Sequence, residues 1–344
     1  MSVLFTFSNE DRKGAFLTAE EQHPLGLPAY IIEKDFWVTQ TLYIIYNDII
    51  PKLTGLASPP FIFKGGTSLS KCFKSINRMS EDIDLSFSFE LLKHEPIEKK
   101  DDGRKKLLQL ALALDETAKQ FIRETLLPHL AEGLEKMDSR IEIVVESETP
   151  LNIAIYYPKE LDESYYGKGV KPRVLLETGG RSDNNPTIKV SINHMLSECV
   201  EAFSVDQPFE VCALSPQRTM LEKIFGVHTN LTACKQQPKY ARHLYDIIQL
   251  HNQNDKWCLD KELFLAHVLF SDIYYKTSEL SCKTANEGPI KLIPDNEDMN
   301  SHYKQDWESM VDMFPGGQLP YSYEDLIGKI TELQKIINNA FYNK

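Results

Sequence analysis

Phe63-Lys-Gly-Gly-Thr-Ser-Leu-Ser-Lys71 and, after a short spacer, Arg78-Met-Ser-Glu-Asp-Ile-Asp-Leu85 are the two runs on which the fold of this chain turns. Phe61-Ile-Phe-Lys64 reads as a short buried strand that meets Gly65-Gly66. From Thr67 to Ile76 the apolar residues Leu69, Cys72, Phe73 and Ile76 recur at i, i+3, i+4 and i+7, which predicts an amphipathic helix capped by Thr67 or Ser68. Asp82 to Phe89 then alternates as a strand does. On such a strand Asp82 and Asp84 emerge on one face while Ile83 and Leu85 point to the core.

Two carboxylates side by side repel, and a divalent cation is the natural relief; an oxygen-only pair suits Mg²⁺ or Mn²⁺. The plain alternative is the solvent face of an edge strand. The turn Lys64-Gly65-Gly66-Thr67-Ser68 bears on that choice. Glycines bring backbone N–H groups close to a ligand, and a helix N-terminus with two hydroxyls favours phosphate. Taken alone, Gly-Gly is as well read as an ordinary turn. Followed by an Asp-x-Asp strand, it sets a phosphate cradle beside a metal site.

Outward from this centre, Tyr30 to Ile50 carries apolar residues at helical spacing, interrupted by the charged triplet Glu33-Lys34-Asp35; the residues before it read as a loose start. Leu107 to His129 is a further helix, entered from a charged stretch at Lys93 to Lys106. Five short β-branched or alternating runs follow: Arg140 to Glu146, Leu151 to Tyr157, Arg173 to Thr178, Thr187 to Asn193 and Phe209 to Leu214. They extend one mixed sheet. Helical patterns return at Pro216 to His228, Pro238 to Asn252, Lys261 to Phe270 and Tyr323 to Phe341, with Ser281 to Tyr303 polar enough to be a long loop. The expectation is an α/β domain over residues 1–214 and a helical C-terminal domain over 215–344.

The Gly-Gly-Thr-Ser and Asp-x-Asp runs resemble the AbiEii/AbiGii toxin family of nucleotidyltransferases, within the polymerase-β-like superfamily. Glu33-Lys34-Asp35-Phe36-Trp37, Leu214-Ser-Pro-Gln-Arg-Thr-Met-Leu-Glu-Lys223 and Tyr240-Ala-Arg-His-Leu-Tyr-Asp-Ile247 resemble it too, so that the likeness covers roughly residues 30 to 250. It implies a polymerase-β-like mixed sheet with flanking helices. It implies further that Lys64, Gly65, Gly66, Thr67 and Ser68 hold nucleotide phosphates and that Asp82 and Asp84 bind the metals. Lys223 fills a third motif, where it would clamp a triphosphate oxygen, and Asp246 takes the acid of a fourth, with Arg242 four residues earlier on the same helical face. Lys223 and Asp246 are thereby contributed to the site by the C-terminal domain. The bland alternatives are a solvated lysine and a surface ion pair between Arg242 and Asp246. His243 stands where many members have an acid, and it is given no catalytic role.

Members of the superfamily often add a third carboxylate from a neighbouring strand, as base or second metal ligand. Glu177, which ends Arg173-Val-Leu-Leu-Glu177 ahead of Gly179-Gly180, is our choice, and Glu142 in Arg140-Ile-Glu-Ile-Val145 is the runner-up. The expected reaction is attack of an acceptor hydroxyl on the α-phosphate of a nucleoside triphosphate, releasing pyrophosphate. The resemblance implies an RNA acceptor, a tRNA 3′ end, in a toxin–antitoxin or abortive-infection setting with a cognate antitoxin as partner. Basic runs at Lys99 to Lys106, Lys168 to Arg181 and Lys235 to Arg242 are candidate guides for RNA, or simply solvated faces.

Three rival readings stay open: AMPylation-like transfer to a protein, a metal-dependent nuclease, and a non-catalytic nucleotide-binding protein on the same scaffold. A nuclease leaves the Gly-Gly-Thr-Ser turn without a purpose. A net charge of −12 argues against non-specific DNA binding, which needs an excess of cations. Six cysteines without a C-x-x-C pair fit neither a zinc site nor a disulfide scaffold, and they suit a reducing cytoplasm. Met1 to Asp11 lacks a signal-peptide pattern, and no run approaches the roughly 20 apolar residues of a membrane span.

Overall fold

The computed structural model describes residues 2–80, 82–96, 103–166, 170–275 and 277–342. The chain divides into two compact units: Met1–Cys72 with Met79–Pro96 and Leu112–Leu214, and Phe73–Arg78 with Ile97–Ala111 and Ser215–Lys344.

The first unit carries α1 (Asn9–Gln22), α2 (Ala29–Tyr43), β1 (Phe61–Lys64), α3 (Gly65–Lys71), β2 (Ile83–Phe87), the later turns of α4 (Arg104–Phe121), α5 (Leu127–Met137), β3 (Glu142–Val145), β4 (Asn152–Tyr156), β5 (Val174–Gly179), β6 (Thr187–Ile192), α6 (Met195–Cys199) and β7 (Phe209–Leu214). Its seven strands form one mixed sheet in the order β3-β4-β5-β2-β1-β7-β6. The α/β class and the single mixed sheet expected from the strand pattern are what the chain adopts. At the centre β2 runs antiparallel to β1 and parallel to β5. Phe61 of β1, Phe87 of β2 and Phe121 of α4 meet at ring-centroid distances of 5.3 to 6.0 Å. Trp37 of α2 stacks on Tyr157 at 5.8 Å. Large aromatic areas of this kind dominate core energetics.

The second unit is helical: α7 (Pro216–Thr232), α8 (Ala241–Gln253), α9 (Lys261–Tyr274), α10 (Glu279–Glu287), α11 (Glu297–Glu308) and α12 (Tyr323–Tyr342). Ser215 caps α7 by accepting the Arg218 N–H, with Pro216 at the first helical position where its missing donor costs nothing. Among the described residues no helix is long and apolar enough to cross a membrane.

Several expected elements are corrected. The loose start is a helix, α1, capped by Ser8, whose side chain accepts the Asp11 N–H. The helix expected from Thr67 to Ile76 begins at Gly65 and ends at Lys71; Lys74, at φ 49°, stands in the left-handed region that ends helices. The expected loop from Ser281 to Tyr303 contains most of α10 and the first half of α11. These helices look polar because each buries a narrow stripe, Cys282 and Ala285 in one, Met299, Tyr303 and Trp307 in the other.

The charged triplet of α2 is not a solvent-facing interruption. Glu33 is fully buried, accepting the Glu160 N–H at 2.8 Å and the Tyr166 hydroxyl. Burial pushes its carboxyl up from 4.5 to about 7, against the pull of those two donors. A group that binds its proton more tightly when folded stabilises fully below its unfolded value, and that contribution is lost as pH rises from about 4.5 to about 7. At about 1.4 kcal/mol per pKa unit this amounts to roughly 3 kcal/mol. We expect Glu33→Gln to remove that slope, so that urea denaturation from pH 5 to 8 shows the variant gaining on the wild type as pH rises. A constant difference between the two would contradict a protonated Glu33.

Candidate active site

The register of the sheet builds a polar row across four strands. Lys64 of β1 faces Asp84 of β2, Asp84 faces Glu177 of β5, and Glu177 faces Asn152 of β4. Directly opposed residues share a face of the sheet. Lys64, Asp84, Glu177 and Asn152 are all half-buried, whereas Ile83 and Leu85 are buried in the core. The sheet thus presents two carboxylates and an ammonium side by side with access to solvent.

Gly65 closes one end of this row. Its φ is +77°, and a Cβ placed on it would lie 1.8 Å from Oδ2 of Asp84. The Asp84 carboxylate therefore rests on the backbone where β1 turns directly into α3, a contact that only glycine permits. Lys64 reaches from β1 to donate to the Ser182 hydroxyl at 3.0 Å.

Asp82 lies just before β2 rather than on it, so strand alternation does not by itself align it with Asp84. Its backbone carbonyl accepts the Thr67 hydroxyl at 2.5 Å, and Ser80 Oγ is 3.1 Å from the same Thr67 oxygen. The Ser68 hydroxyl donates back to the Gly65 carbonyl at 3.0 Å. Thr67 and Ser68 are both buried, so their hydroxyls serve the turn that presents Gly65 and Gly66. Glu142, the runner-up carboxylate, is exposed on β3 at the sheet edge, with β4 and β5 between it and β2.

The second unit holds a different constellation. Asp246, fully buried on α8, takes both Nε and Nη2 of Arg78 at 2.7 Å, and Nζ of Lys223 at 2.9 Å. Burial alone pushes the Asp246 carboxyl up, but Arg78 and Lys223 outweigh it and hold the group well below the carboxylate range. Burial pushes the Lys223 ammonium down, and Asp246 opposes that. Lys223 also meets Nδ1 of His243 at 3.3 Å. Desolvation and the cations Lys223 and Arg242 push the His243 imidazole well below its usual range, so a neutral ring accepts from the ammonium. The partners of Asp246 are therefore Arg78 and Lys223, not the Arg242 that spacing on α8 suggested. Arg242 is half-buried with its Nε unbonded among the described residues. Arg78 was given no role by sequence reasoning. Its only signal is its place four residues ahead of Asp82 in the quoted run.

Among the described residues no three His, Cys, Asp or Glu side chains are grouped to hold a metal by protein ligands alone. The donor set of the row still fits a hard cation, because Mg²⁺ takes one or two carboxylates and completes its shell with water and substrate phosphates. Of the three basic runs, Lys99, Lys100 and Lys168 lie outside the described residues. Arg173 and Arg181 are spent on Glu146 and Asp115, while Lys235 and Lys239 are exposed.

Removing one partner of a buried pair leaves an uncompensated charge and costs about 3–5 kcal/mol. Arg78→Ala is expected to lower unfolding stability by that amount. Arg78→Lys should recover only part of it, since an ammonium cannot supply the two parallel bonds. Urea denaturation of both variants reads this directly; equal stability of Arg78→Ala and wild type would remove the network from the folding balance.

A family model described as the nucleotidyl transferase AbiEii toxin of type IV toxin–antitoxin systems matches residues 54–329. No curated protein sequence matches the chain. Among solved structures, MenT4, a nucleotidyltransferase toxin from Mycobacterium tuberculosis H37Rv, is similar at 14% identity and a TM-score of 0.41, with 95% of this chain and 97% of that one covered. The family match takes in well over half of the chain, including the row Lys64, Asp84 and Glu177 and the cluster Arg78, Lys223 and Asp246. The chain belongs to the AbiEii family of nucleotidyltransferase toxins.

Proposed function

We propose that this protein transfers a nucleotide from a nucleoside triphosphate to the 3′ end of an RNA, with tRNA as the acceptor, and releases pyrophosphate. The observation that carries the reading is the in-register row Lys64–Asp84–Glu177 with the Asp84 carboxylate seated on Gly65. It sets hard oxygen donors against a turn whose backbone is bare enough for a phosphate to approach.

On this reading the acceptor hydroxyl attacks the α-phosphorus, a new P–O bond forms, the bond to the β-phosphate oxygen breaks, and pyrophosphate leaves. Glu177 takes the proton of the attacking hydroxyl, being the carboxylate next to Asp84 on the paired strand. Asp82 and Asp84 are the residues that would hold Mg²⁺ or Mn²⁺, which would supply charge stabilisation to the transferred phosphate. Lys64 and the Gly65-Gly66 backbone bind phosphate oxygens. Thr67 and Ser68 act through their hydrogen bonds to Asp82 and Gly65 rather than through contact with the nucleotide. Lys223 and Arg242 serve as phosphate-binding cations on the strength of the motif resemblance. Asp246, being fully buried, serves as the residue that holds Lys223.

The substrates place the enzyme in the cytoplasm, and a type IV toxin implies an antitoxin that opposes its effect. A protein acceptor is the second reading, favoured by the internal pairing of Arg173 and Arg181, which removes two cations from an RNA path.

Incubation of the purified protein with Mg²⁺, each α-³²P-labelled nucleoside triphosphate and total cell extract tests both. Label on a tRNA-sized band, lost with EDTA and reduced on the order of 10³-fold in Asp84→Ala, is the expected result. Label on protein moves the activity to AMPylation-like transfer, and no label with any triphosphate removes the enzymatic reading. Gly65→Ala has a sharper expectation. The added Cβ must displace the Asp84 carboxylate, so transfer should fall about 10²-fold even in folded protein. Wild-type rates in that variant would show that the contact does not matter to chemistry.

A further inference from the structure

The helix α3 is seven residues long and opens with two glycines. A helix so short is unstable by itself, and glycine weakens it further, so tertiary contacts must fix its place. At its first turn the fixing contacts are Asp84 over Gly65 and Thr67 on the Asp82 carbonyl. At its last residue the contact is Lys71, whose ammonium bonds Oδ1 of Asp35 at 2.6 Å, with both side chains largely buried. A cation at a helix C-terminus also meets the favourable end of the helix dipole. The second oxygen of Asp35 accepts the Met195 N–H at 2.8 Å, where α6 begins. Asp35 therefore joins α2, α3 and α6.

Its neighbours on α2 do comparable work. Successive helix residues point about 100° apart, so three charges in a row cannot share one solvent face. Glu33 reaches Glu160 and Tyr166, and Lys34 donates to the Lys171 carbonyl at 3.1 Å, three residues before β5 and its Glu177 begin. Buried ion pairs seldom stabilise better than apolar packing of the same volume. What the pair supplies that packing does not is a fixed direction and distance.

We propose that Asp35 and Lys71 are positioning residues for nucleotide binding: their ion pair sets the seat of α3 on α2, and thereby the place of Gly65 and Gly66 relative to Asp84. This rests on the nucleoside triphosphate reading above. A shift of about 1 Å at a reacting centre is enough to cost on the order of 10²-fold in rate.

The test compares full-length Lys71→Met, Asp35→Asn and Lys71→Arg with Asp138→Asn, which weakens another ion-pair cluster of the same unit, that of Arg12 and Arg140. Binding of ATP, GTP, CTP and UTP with Mg²⁺ is measured by calorimetry, beside KM and kcat for label transfer and the melting temperature. Lys71→Met and Asp35→Asn are expected to weaken binding of the preferred triphosphate and raise its KM by about tenfold or more, with Lys71→Arg restoring most of it. Asp138→Asn should lower the melting temperature and leave KM unchanged. Binding within about twofold of wild type in folded Lys71→Met, or an equal loss in Asp138→Asn, overturns the proposal. If Lys71→Met does not fold, Asp35→Asn decides, since its amide oxygen still accepts from Met195. Wild-type protein that binds none of the four triphosphates overturns the nucleotide reading itself, a result distinct from a failure confined to the variants.

Discussion

The Asp84 carboxylate pressed onto the Gly65 backbone constrains the centre of the first unit. It requires β1 to pass into α3 without a side chain at the junction, and it requires β2 to lie beside β1 in one register, the one that sets Asp84 opposite Lys64. A slip of one residue would send Asp84 to the core and Ile83 to the open face, which the buried Ile83 and Leu85 forbid. The parallel pairing of β2 with β5 then brings Glu177 into the same row. Parallel neighbours cannot be joined by a tight turn. The crossover between them carries α4, α5, β3 and β4, so a single contact at the centre is sustained by a long stretch of chain.

Much of this was legible because local chemistry and global fold agree there. An apolar run ending in Lys64, a glycine pair, an alternating strand with two aspartates and a second apolar run ending in Glu177 each carry their own signal. What escaped reading was set at a distance. Gly65 and Gly66 read as a turn ahead of a helix beginning at Thr67, yet they are its first residues, because Asp84 and Asp82, on the far side of a loop, hold that turn. Thr67 looked like a cap and instead ties down the Asp82 carbonyl. Arg78 and Asp246 are 168 residues apart, and no periodicity announces that a guanidinium near one motif is spent on the acid of another. Glu33, Lys34 and Asp35 looked like an interruption of an amphipathic face because their partners at Glu160, Lys171 and Lys71 belong to other elements.

Exposure separates the roles of the charged groups more clearly than identity does. Lys64, Asp84 and Glu177 are half-buried and so able to meet a ligand, whereas Asp246 has no exposed surface and is limited to holding its neighbours. On the nucleotidyl-transfer reading this resolves an electrostatic difficulty in the row itself. Two carboxylates and one ammonium leave it net negative, which repels a triphosphate. A divalent cation held by Asp82 and Asp84 would reverse that sign locally, and a protein of net charge −12 offers little long-range attraction to substitute for it.

The same reasoning bears on Lys223. An ammonium has three N–H donors, and Asp246 and His243 take two of them in fixed directions. The flexible stem of a lysine is thereby stiffened within the fold. The depressed His243 imidazole matters to this arrangement, because a protonated ring would have no lone pair to offer and would repel the ammonium. A neutral His243 thus orients Lys223 without adding charge. Arg78 and Lys223 both turn to the one carboxylate of Asp246, so the basic side chains of this cluster outnumber its acid and the acid fixes the direction of each.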